Sequence, residues 1–514
     1  MYAAVMYHFI EVASSGQLWQ KIMSGMDLVQ HLEYLFNPQS VAVIGASNIP
    51  GKWGCDILNL LLTKGDRKVY PINKNKPEVL GVKAYSSIGE VPGPVDFAVI
   101  TVSSEVIPAA MEECVRKGVK TALIISGGFA ETGESGAKIE QKILEIARRG
   151  GIRFIGPNCA GHVNTFSELF TAPYLPPMEK GPVALVFQSG NLGLMVLAMA
   201  HEAGLGLSKY ISSGNEADLH FEDYLEYLGQ NEETRLIMGY AEGLREGRRF
   251  LELAREVTRK KPVVIMKVGG TDCGARACRS HTAALSGSDD ICDAAFKQSG
   301  VIRVEEVSDL IDVSLVLLGQ PLPRGNRVAV LTVGGGLGVI AADALKRHGL
   351  EVPPLSEATV EKLNSVLSER WSRGNPVDTS GDISYPCLLP LMEDENIDAI
   401  MITGPIWTPF GFAGLMSTPP WERDYSVDHD QILQGIAEEY IRNLEVTMEL
   451  MEKYQKPVVF SVWVSDEVKS GDVYKKMVQN HLIPYPTPDR AAKALASLVE
   501  YSEYLGVAKR RQEW

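Results

Sequence analysis

The sequence predicts an α/β protein built from parallel sheets, and three observations carry that reading. From Leu35 onward, short apolar runs rich in β-branched residues alternate with helical patterns. Three of those runs open into glycine-rich turns that lead directly into a helix, at Gly45, Gly190 and Gly335. The chain has 514 residues, 45% hydrophobic and 22% charged, which is the balance of a soluble globular protein. That length leaves room for about three or four domains of ordinary size.

The first series contains Val41–Ile44, Lys68–Ile72, Val95–Ile100 and Thr121–Ile125 as strands. Helical patterns at Val106–Lys117 and Ser135–Arg149 separate them, so the unit reads as βαβ crossovers closing near Phe154–Asn158. The proline cluster Pro173–Pro177 marks a connection. A second series begins at Val183–Phe187 and continues through Leu236–Met238 and Val263–Ile265. Gln320–Gly325 reads as another linker, and a third series follows with Val328–Leu331, Ala399–Ile402 and Val458–Phe460. The expected organisation is an extension over residues 1–34, then domains over 35–160, 161–322 and 323–505. The extension has no basic n-region and no clear cleavage site, and no function is assigned to it.

A formal net charge of −14 argues against general nucleic-acid binding, which favours a basic surface. Seven cysteines lack a CxxC pair or metal-ligand spacing, so neither a disulfide framework nor a metal site is expected. A reducing, cytoplasmic setting fits that usage. No run is long and apolar enough to span a membrane.

Val43-Ile44-Gly45-Ala46-Ser47 leads into Pro50-Gly51-Lys52-Trp53-Gly54. Glycines after a first strand let a phosphate approach the backbone at a helix N-terminus. The spacing departs from GxGxxG. The second strand ends in Pro71-Ile72-Asn73-Lys74-Asn75-Lys76, where an NAD site would place an acid for the ribose hydroxyls. Lysines there suit a nucleotide carrying an extra ribose phosphate, either NADP or coenzyme A.

Pro262–Gly270 reads as a buried strand ending in a glycine turn, and Arg279–Gly287 follows with His281 among small residues. Ligands of open α/β sheets gather beyond the carboxyl ends of strands, so the sequence places His281 in a loop where it can act as a nucleophile. Ser189-Gly190-Asn191 opens the helix of the second series and Gly335-Gly336 the equivalent helix of the third. Both offer amides and a positive dipole end to a phosphoryl group. Glu242, at the end of the Leu236 strand, supplies a carboxylate that can fix an imidazole tautomer.

Together these motifs give a chain that, from about Leu35 to Lys493, resembles the α subunit of nucleoside-diphosphate-forming acyl-CoA synthetases, within the succinyl-CoA synthetase superfamily. The matching segments are Val41–Gly54, Ile155–Gly161, Gln188–Gly193, Tyr240–Gly243, Gly274–Gly287 and Asn375–Asp378. The resemblance implies a Rossmann-like CoA-binding domain followed by two flavodoxin-like domains. It implies that coenzyme A is a substrate, held around Gly45, Ser47, Gly51, Lys52, Gly54, Pro71, Asn73, Lys74, Lys76, Val102 and Asn158. It further implies that His281 is phosphorylated, that Glu242 orients it, and that Ser189, Gly190, Asn191, Gly335 and Gly336 bind the phosphate.

The family reaction interconverts acyl-CoA, nucleoside diphosphate and phosphate with a carboxylate, CoA and nucleoside triphosphate, through acyl phosphate and phosphohistidine. No ATP-grasp region is recognisable after the third series. The resemblance therefore places ATP or ADP and Mg on a separate ATP-grasp β subunit, in a hetero-oligomer that is expected to be a heterotetramer. Ala283 stands where the family has glycine, and Gly336-Leu337-Gly338 replaces Gly-Pro-Gly. Two other readings of the same residues are a nucleotide-independent acyl or carbamoyl transferase and a non-catalytic CoA-binding sensor or scaffold.

Overall fold

Ser40–Ile44 (β1) is buried along its whole length, because an apolar run flanked by parallel neighbours has both faces covered. The computed structural model describes residues 28–282, 288–379, 385–404, 429–462, 472–482 and 484–508. Around β1 run Lys68–Ile72 (β2), a small hairpin of Glu78–Val79 (β3) and Val82–Lys83 (β4), Phe97–Ile100 (β5), Thr121–Ile124 (β6) and Arg153–Ile155 (β7). The sheet order is β2-β1-β5-β6-β7, and the neighbours are parallel throughout. Chain direction across the sheet reverses beside β1, so β1 and β5 open a crevice at their carboxyl ends. That crevice is the topological switch point at which such sheets take ligands.

A second sheet follows from His162–Asn164 (β8), Leu169–Phe170 (β9), Lys180–Phe187 (β10), Leu207–Ser212 (β11), Leu236–Ala241 (β12), Val263–Lys267 (β13) and Ile302–Val304 (β14). Its order is β14-β13-β12-β10-β11-β8-β9. β10 lies between β11 and β12, both parallel to it, which makes a second switch point at the ends of β10 and β12. The sequence reading missed β8 and β9. β8 pairs antiparallel with β11 and β9 with β8, and both are too short to show a period.

These two sheets belong to one compact unit, which contains the residues up to His201 and Gly206–Arg303. The Leu28–Phe36 helix lies at their junction, burying Leu32, Leu35 and Phe36 in a cluster shared with Val41, Phe97, Tyr224 and Tyr227. Phe36 stacks on Tyr227 with centroids 4.5 Å apart. Residues 1–27, most of the expected N-terminal extension, lie outside the described residues.

The second unit contains Glu202–Leu205 and the residues from Val304. Among its described residues, Val328–Thr332 (β15), Val377–Asp378 (β16), Ala399–Thr403 (β17) and Val458–Ser461 (β18) form a parallel sheet ordered β16-β15-β17-β18. The fold is therefore the expected one: a Rossmann-like sheet followed by two flavodoxin-like sheets, with switch points beside β1, β10 and β15. The Val307–Gly319 helix, which the sequence reading groups with the middle domain, packs on Pro488–Tyr504 in this second unit. Arg490 grips Asp312 through Nε and Nη2 at 2.6 and 2.7 Å, and Lys493 reaches Asp309 at 2.7 Å.

One expectation about local structure is corrected. The segment holding His281 is not a loop at that residue, because a helix runs from Asp272 to Thr282. Thr271 starts it, with Oγ1 accepting the Gly274 N–H at 3.0 Å, and Asp272 adds a favourable charge to the first turn. The following Ala-Arg-Ala-Cys-Arg stretch contains good helix formers and carries the helix through His281. Ala283 lies outside the described residues.

Candidate active site

The first glycine turn is shaped by close backbone packing. Gly45 has φ +95°, and a Cβ there would sit 2.7 Å from Thr101 Oγ1, so the turn admits only glycine. Gly54 is equally constrained, since a Cβ would lie 2.1 Å from the Gly45 carbonyl oxygen. The Trp53–Thr63 helix is thereby seated directly on the turn, with its N-terminus at the crevice. Gly51 has φ +82° in open space, and its N–H is taken by Asp56 Oδ1 at 3.1 Å. Ser47 Oγ accepts the Ile49 N–H at 3.1 Å, and Lys52 is exposed at the helix start.

Pro71 is buried in β2 opposite Val43. Asn73 joins the two loops: its Nδ2 donates to the Ala46 carbonyl at 2.8 Å, while Oδ1 accepts the N–H groups of Asn75 and Lys76 at 2.9 and 3.1 Å. It thereby sets the turn that presents the exposed Lys74 and Lys76 beside the glycine loop. Val102 is half-buried, and its carbonyl accepts from Ser126 Oγ at 2.6 Å.

A cleft of about 480 Å³ opens here, lined in part by Trp53, Thr101, Asn158, Gln188, Ser189, Gly190 and Asn191. It brings the first switch point and the helix start of the second sheet together. Asn158 holds φ +58°, with Nδ2 donating to Asn215 Oδ1 at 3.2 Å. Gly190 is needed for contact, since a Cβ would fall 2.7 Å from the Ala160 methyl. The Gly190–Glu202 helix begins there, leaving the first amides of its backbone toward the cleft as a helix start does.

Glu242 follows β12 and is buried, 2% exposed. Its main chain is fixed by Gln188, at the end of the neighbouring strand. Gln188 Oε1 accepts the N–H groups of Glu242 and Gly243 at 2.5 and 3.2 Å. Gln188 Nε2 donates to the Gly243 carbonyl at 2.9 Å and to Glu216 Oε2 at 2.8 Å. Lys267, at the end of β13, donates to the Glu242 carbonyl at 2.9 Å. Burial lowers the Lys267 pKa.

Glu216 is a buried carboxyl held at φ +52°, and burial pushes its pKa up to about 8. The Glu222 charge works in the same direction, opposed by hydrogen bonds from Ser213 and Gln188 and by Arg245. Cys278, on the Asp272–Thr282 helix that follows β13, the strand next to β12, has its thiol pKa raised by burial and by the Glu242 charge. His281 is three residues further along, near one helical turn. The same helix approaches the short turn Ala130–Thr132 beyond β6, so it lies on the first sheet's carboxyl side.

In the second unit, Gly334 precedes the Gly335–Arg347 helix, and Thr332 Oγ1 donates to the Gly334 carbonyl at 2.9 Å. Gly336 faces open space, whereas a Cβ on Gly335 would lie 3.2 Å from Asp378 Oδ2. Asn375 in the Asn375–Asp378 motif is structural. Its Oδ1 accepts the Val330 N–H, and its Nδ2 donates to the Val328 and Pro353 carbonyls, each at 2.9 Å.

The structure thus gathers Asn158, Ser189, Gly190 and Asn191 around one cleft and ties Glu242 to it through Gln188. Sequence reasoning quoted Gln188 only as part of a motif and missed Glu216, Ser213 and Asn215. The polar run Ser212–Asp218 after β11 was their one visible signal. Among the described residues, no group of three His, Cys, Asp or Glu side chains is gathered as a metal ion would require. No described helix is long and apolar enough to cross a membrane.

Comparison with known proteins agrees with this geometry. Residues 39–165 match the CoA binding domain family, and residues 180–317 match the succinyl-CoA ligase-like flavodoxin domain. The α subunit of acetate–CoA ligase (ADP-forming) II from Pyrococcus furiosus is 39% identical over 479 residues, covering 92% of this chain and 99% of that one. The α subunit of the corresponding ligase I of the same organism is 37% identical, covering 92% of this chain and 98% of that one. A solved structure of the dinucleotide-forming acetyl-coenzyme A synthetase 1 of Ca. Korarchaeum cryptofilum, in complex with phosphate and ADP, superposes with a TM-score of 0.78 at 32% identity. That match covers 93% of this chain and 98% of the other. With near-complete coverage of two named α subunits and the fold of the synthetase, this chain belongs to the α-subunit family of ADP-forming acetate–CoA ligases.

Proposed function

We propose that this chain is the α subunit of a nucleoside-diphosphate-forming acyl-CoA synthetase. The observation that carries the reading is the joining of the Ser189–Gly190 helix start to Glu242 through Gln188, at adjacent strand ends beside the helix that contains His281. The working domains are 35–160 for CoA, 161–322 for the phosphohistidine segment and 323–505 for the third sheet.

In this reading the Gly45–Gly54 turn, Lys52, Lys74 and Lys76 hold the phosphates of CoA. Gly51 lies in open space just before the start of the Trp53–Thr63 helix, and Lys52, Lys74 and Lys76 are exposed beside that turn, so the residues present fit an anionic nucleotide. Phosphate attacks the acyl carbonyl of acyl-CoA, breaking the thioester and giving acyl phosphate and CoA. A ring nitrogen of His281 then attacks phosphorus, and the carboxylate leaves with the bridging oxygen. Glu242 accepts a hydrogen bond from the N–H of the other ring nitrogen and stabilises the cation that forms. Ser189, Gly190 and Asn191 hold the transferred phosphoryl group, and Gly335 and Gly336 of the second unit offer a helix start of the same kind for phosphate.

Phosphohistidine finally passes its phosphoryl group to a nucleoside diphosphate. That nucleotide and its Mg belong to an ATP-grasp β subunit, and the setting is the cytoplasm. Full-length chain incubated with acetyl-CoA and radiolabelled phosphate should acquire acid-labile, base-stable label on His281. His281→Asn should lose the label while keeping CoA affinity. Glu242→Gln should label slowly, because an amide no longer offsets the imidazolium charge. Label on another residue, or wild-type labelling in His281→Asn, would overturn the mechanism.

A further inference from the structure

We infer that Glu216 is a positioning residue, holding Gln188 in the one amide orientation that fixes the main chain of Glu242 against the Ser189–Gly190 turn. The inference rests on the proposed phosphohistidine reading.

A glutamine amide can face its surroundings two ways, and only its neighbours decide which. Here the demands differ on the two sides. The N–H groups of Glu242 and Gly243 require an oxygen, whereas the Gly243 carbonyl and Glu216 Oε2 require a nitrogen. Flipping the amide would set oxygen against two acceptors and nitrogen against two donors. Glu216 itself is anchored by Ser213, whose Oγ donates to Oε1 at 2.7 Å. Ser213 is tied to the end of β10, with its N–H donating to the Phe187 carbonyl at 2.9 Å. A closed circuit therefore runs from β10 through Ser213, Glu216 and Gln188 to the end of β12.

The circuit stands where strand pairing stops. The β10–β12 ladder ends at Phe187 opposite Tyr240, so beyond that point a side chain does the work of the sheet. Gln188 is also the residue immediately before the phosphate turn. Any rotation of its amide moves the backbone of Glu242 relative to Ser189 and Gly190, and displacements of this kind are costly in rate.

Two variants separate positioning from bulk stability. In Glu216→Gln the new amide can present its oxygen to Gln188 Nε2 and its nitrogen to Ser213 Oγ, which can in turn donate to the Phe187 carbonyl 3.5 Å away. In Glu216→Leu the acceptor for Gln188 is gone. Full-length protein is labelled with acetyl-CoA and radiolabelled phosphate, with CoA affinity measured by calorimetry and melting temperature alongside. We expect Glu216→Leu to label His281 slower by about tenfold or more with CoA affinity within about twofold of wild type, and Glu216→Gln to recover most of the rate. Gln188→Leu should behave like Glu216→Leu. Labelling at the wild-type rate in Glu216→Leu overturns the inference, as does a loss of CoA affinity in parallel with the rate. If Glu216→Leu does not fold, equal slowing of Glu216→Gln and Gln188→Leu overturns it, since the conservative change must rescue. A wild-type chain that takes no label on His281 removes the underlying reading and this inference together, which the wild-type lane reports by itself.

Discussion

A methyl group on Gly54 would press on the Gly45 carbonyl oxygen at 2.1 Å, and neither partner is a flexible side-chain end that could swing away. The Trp53–Thr63 helix must therefore lift from β1 or the Gly45 turn must shift. Overpacking of this kind costs about 1–3 kcal/mol. Because the displaced element is the helix start proposed to meet CoA, Gly54→Ala should lower both thermal stability and CoA affinity. Differential scanning calorimetry and isothermal titration give the two values. A destabilised variant that still binds CoA at wild-type strength would separate the fold of this turn from the ligand.

Between the first and second sheets, the Leu28–Phe36 helix is fixed by a buried histidine. His162 Nε2 lies 2.9 Å from the Leu35 carbonyl and Nδ1 3.0 Å from Thr171 Oγ1, with Phe36 and Phe97 edge-on to the ring. Burial, assisted by the Arg67 charge and opposed by the Leu35 hydrogen bond, lowers its pKa from 6.5 to about 4. A depressed folded-state value means that the unfolded chain takes up the proton first. This contribution is thus present above pH 6.5 and lost as pH falls through about 4, amounting to roughly 3 kcal/mol. Glu216 acts oppositely: with its folded-state value raised to about 8, its contribution is present below 4.5 and lost as pH rises through about 8. In denaturant melts between pH 7 and pH 4, wild type should lose more stability than His162→Gln. Parallel curves would show that the ring is charged in the native state.

The same junction shows what a sequence can and cannot carry. β1, β5, β6, β10, β12 and β15 were legible because parallel strands covered on both faces become continuous apolar runs, and each breaks at a turn residue. β8 and β9 were not, since two or three residues hold no period, and β8 owes its burial to a helix 127 residues away. At the site, Gly45, Gly54 and Glu242 were legible as motif residues, whereas the Glu216–Gln188–Glu242 circuit joins positions 28 and 54 residues apart. Local pattern holds no trace of a hydrogen bond at that separation. The helix through His281 was obscured by the neighbouring glycines and serine, which suggest a loop although the alanine and arginine residues between them favour a helix.

For the whole molecule, the proposed reaction divides into acyl transfer, assigned to this chain, and nucleotide phosphorylation, assigned to an ATP-grasp β subunit. Each glycine-rich helix start can hold a phosphate, which serves CoA and the transferred phosphoryl group alike. Acyl transfer and nucleotide synthesis should therefore separate experimentally. The full chain alone should bind CoA more tightly than NAD and take label from acetyl-CoA and phosphate. ATP formation should appear only when an ATP-grasp subunit is added, together with a shift in light-scattering mass to that of a heterotetramer. Adding the partner should raise ATP-dependent acyl-CoA synthesis from background while leaving CoA affinity within about twofold, because the CoA turn lies on this chain. Robust synthesis by the purified chain without a partner would refute the division of labour, since the nucleotide site would then have to lie on this chain.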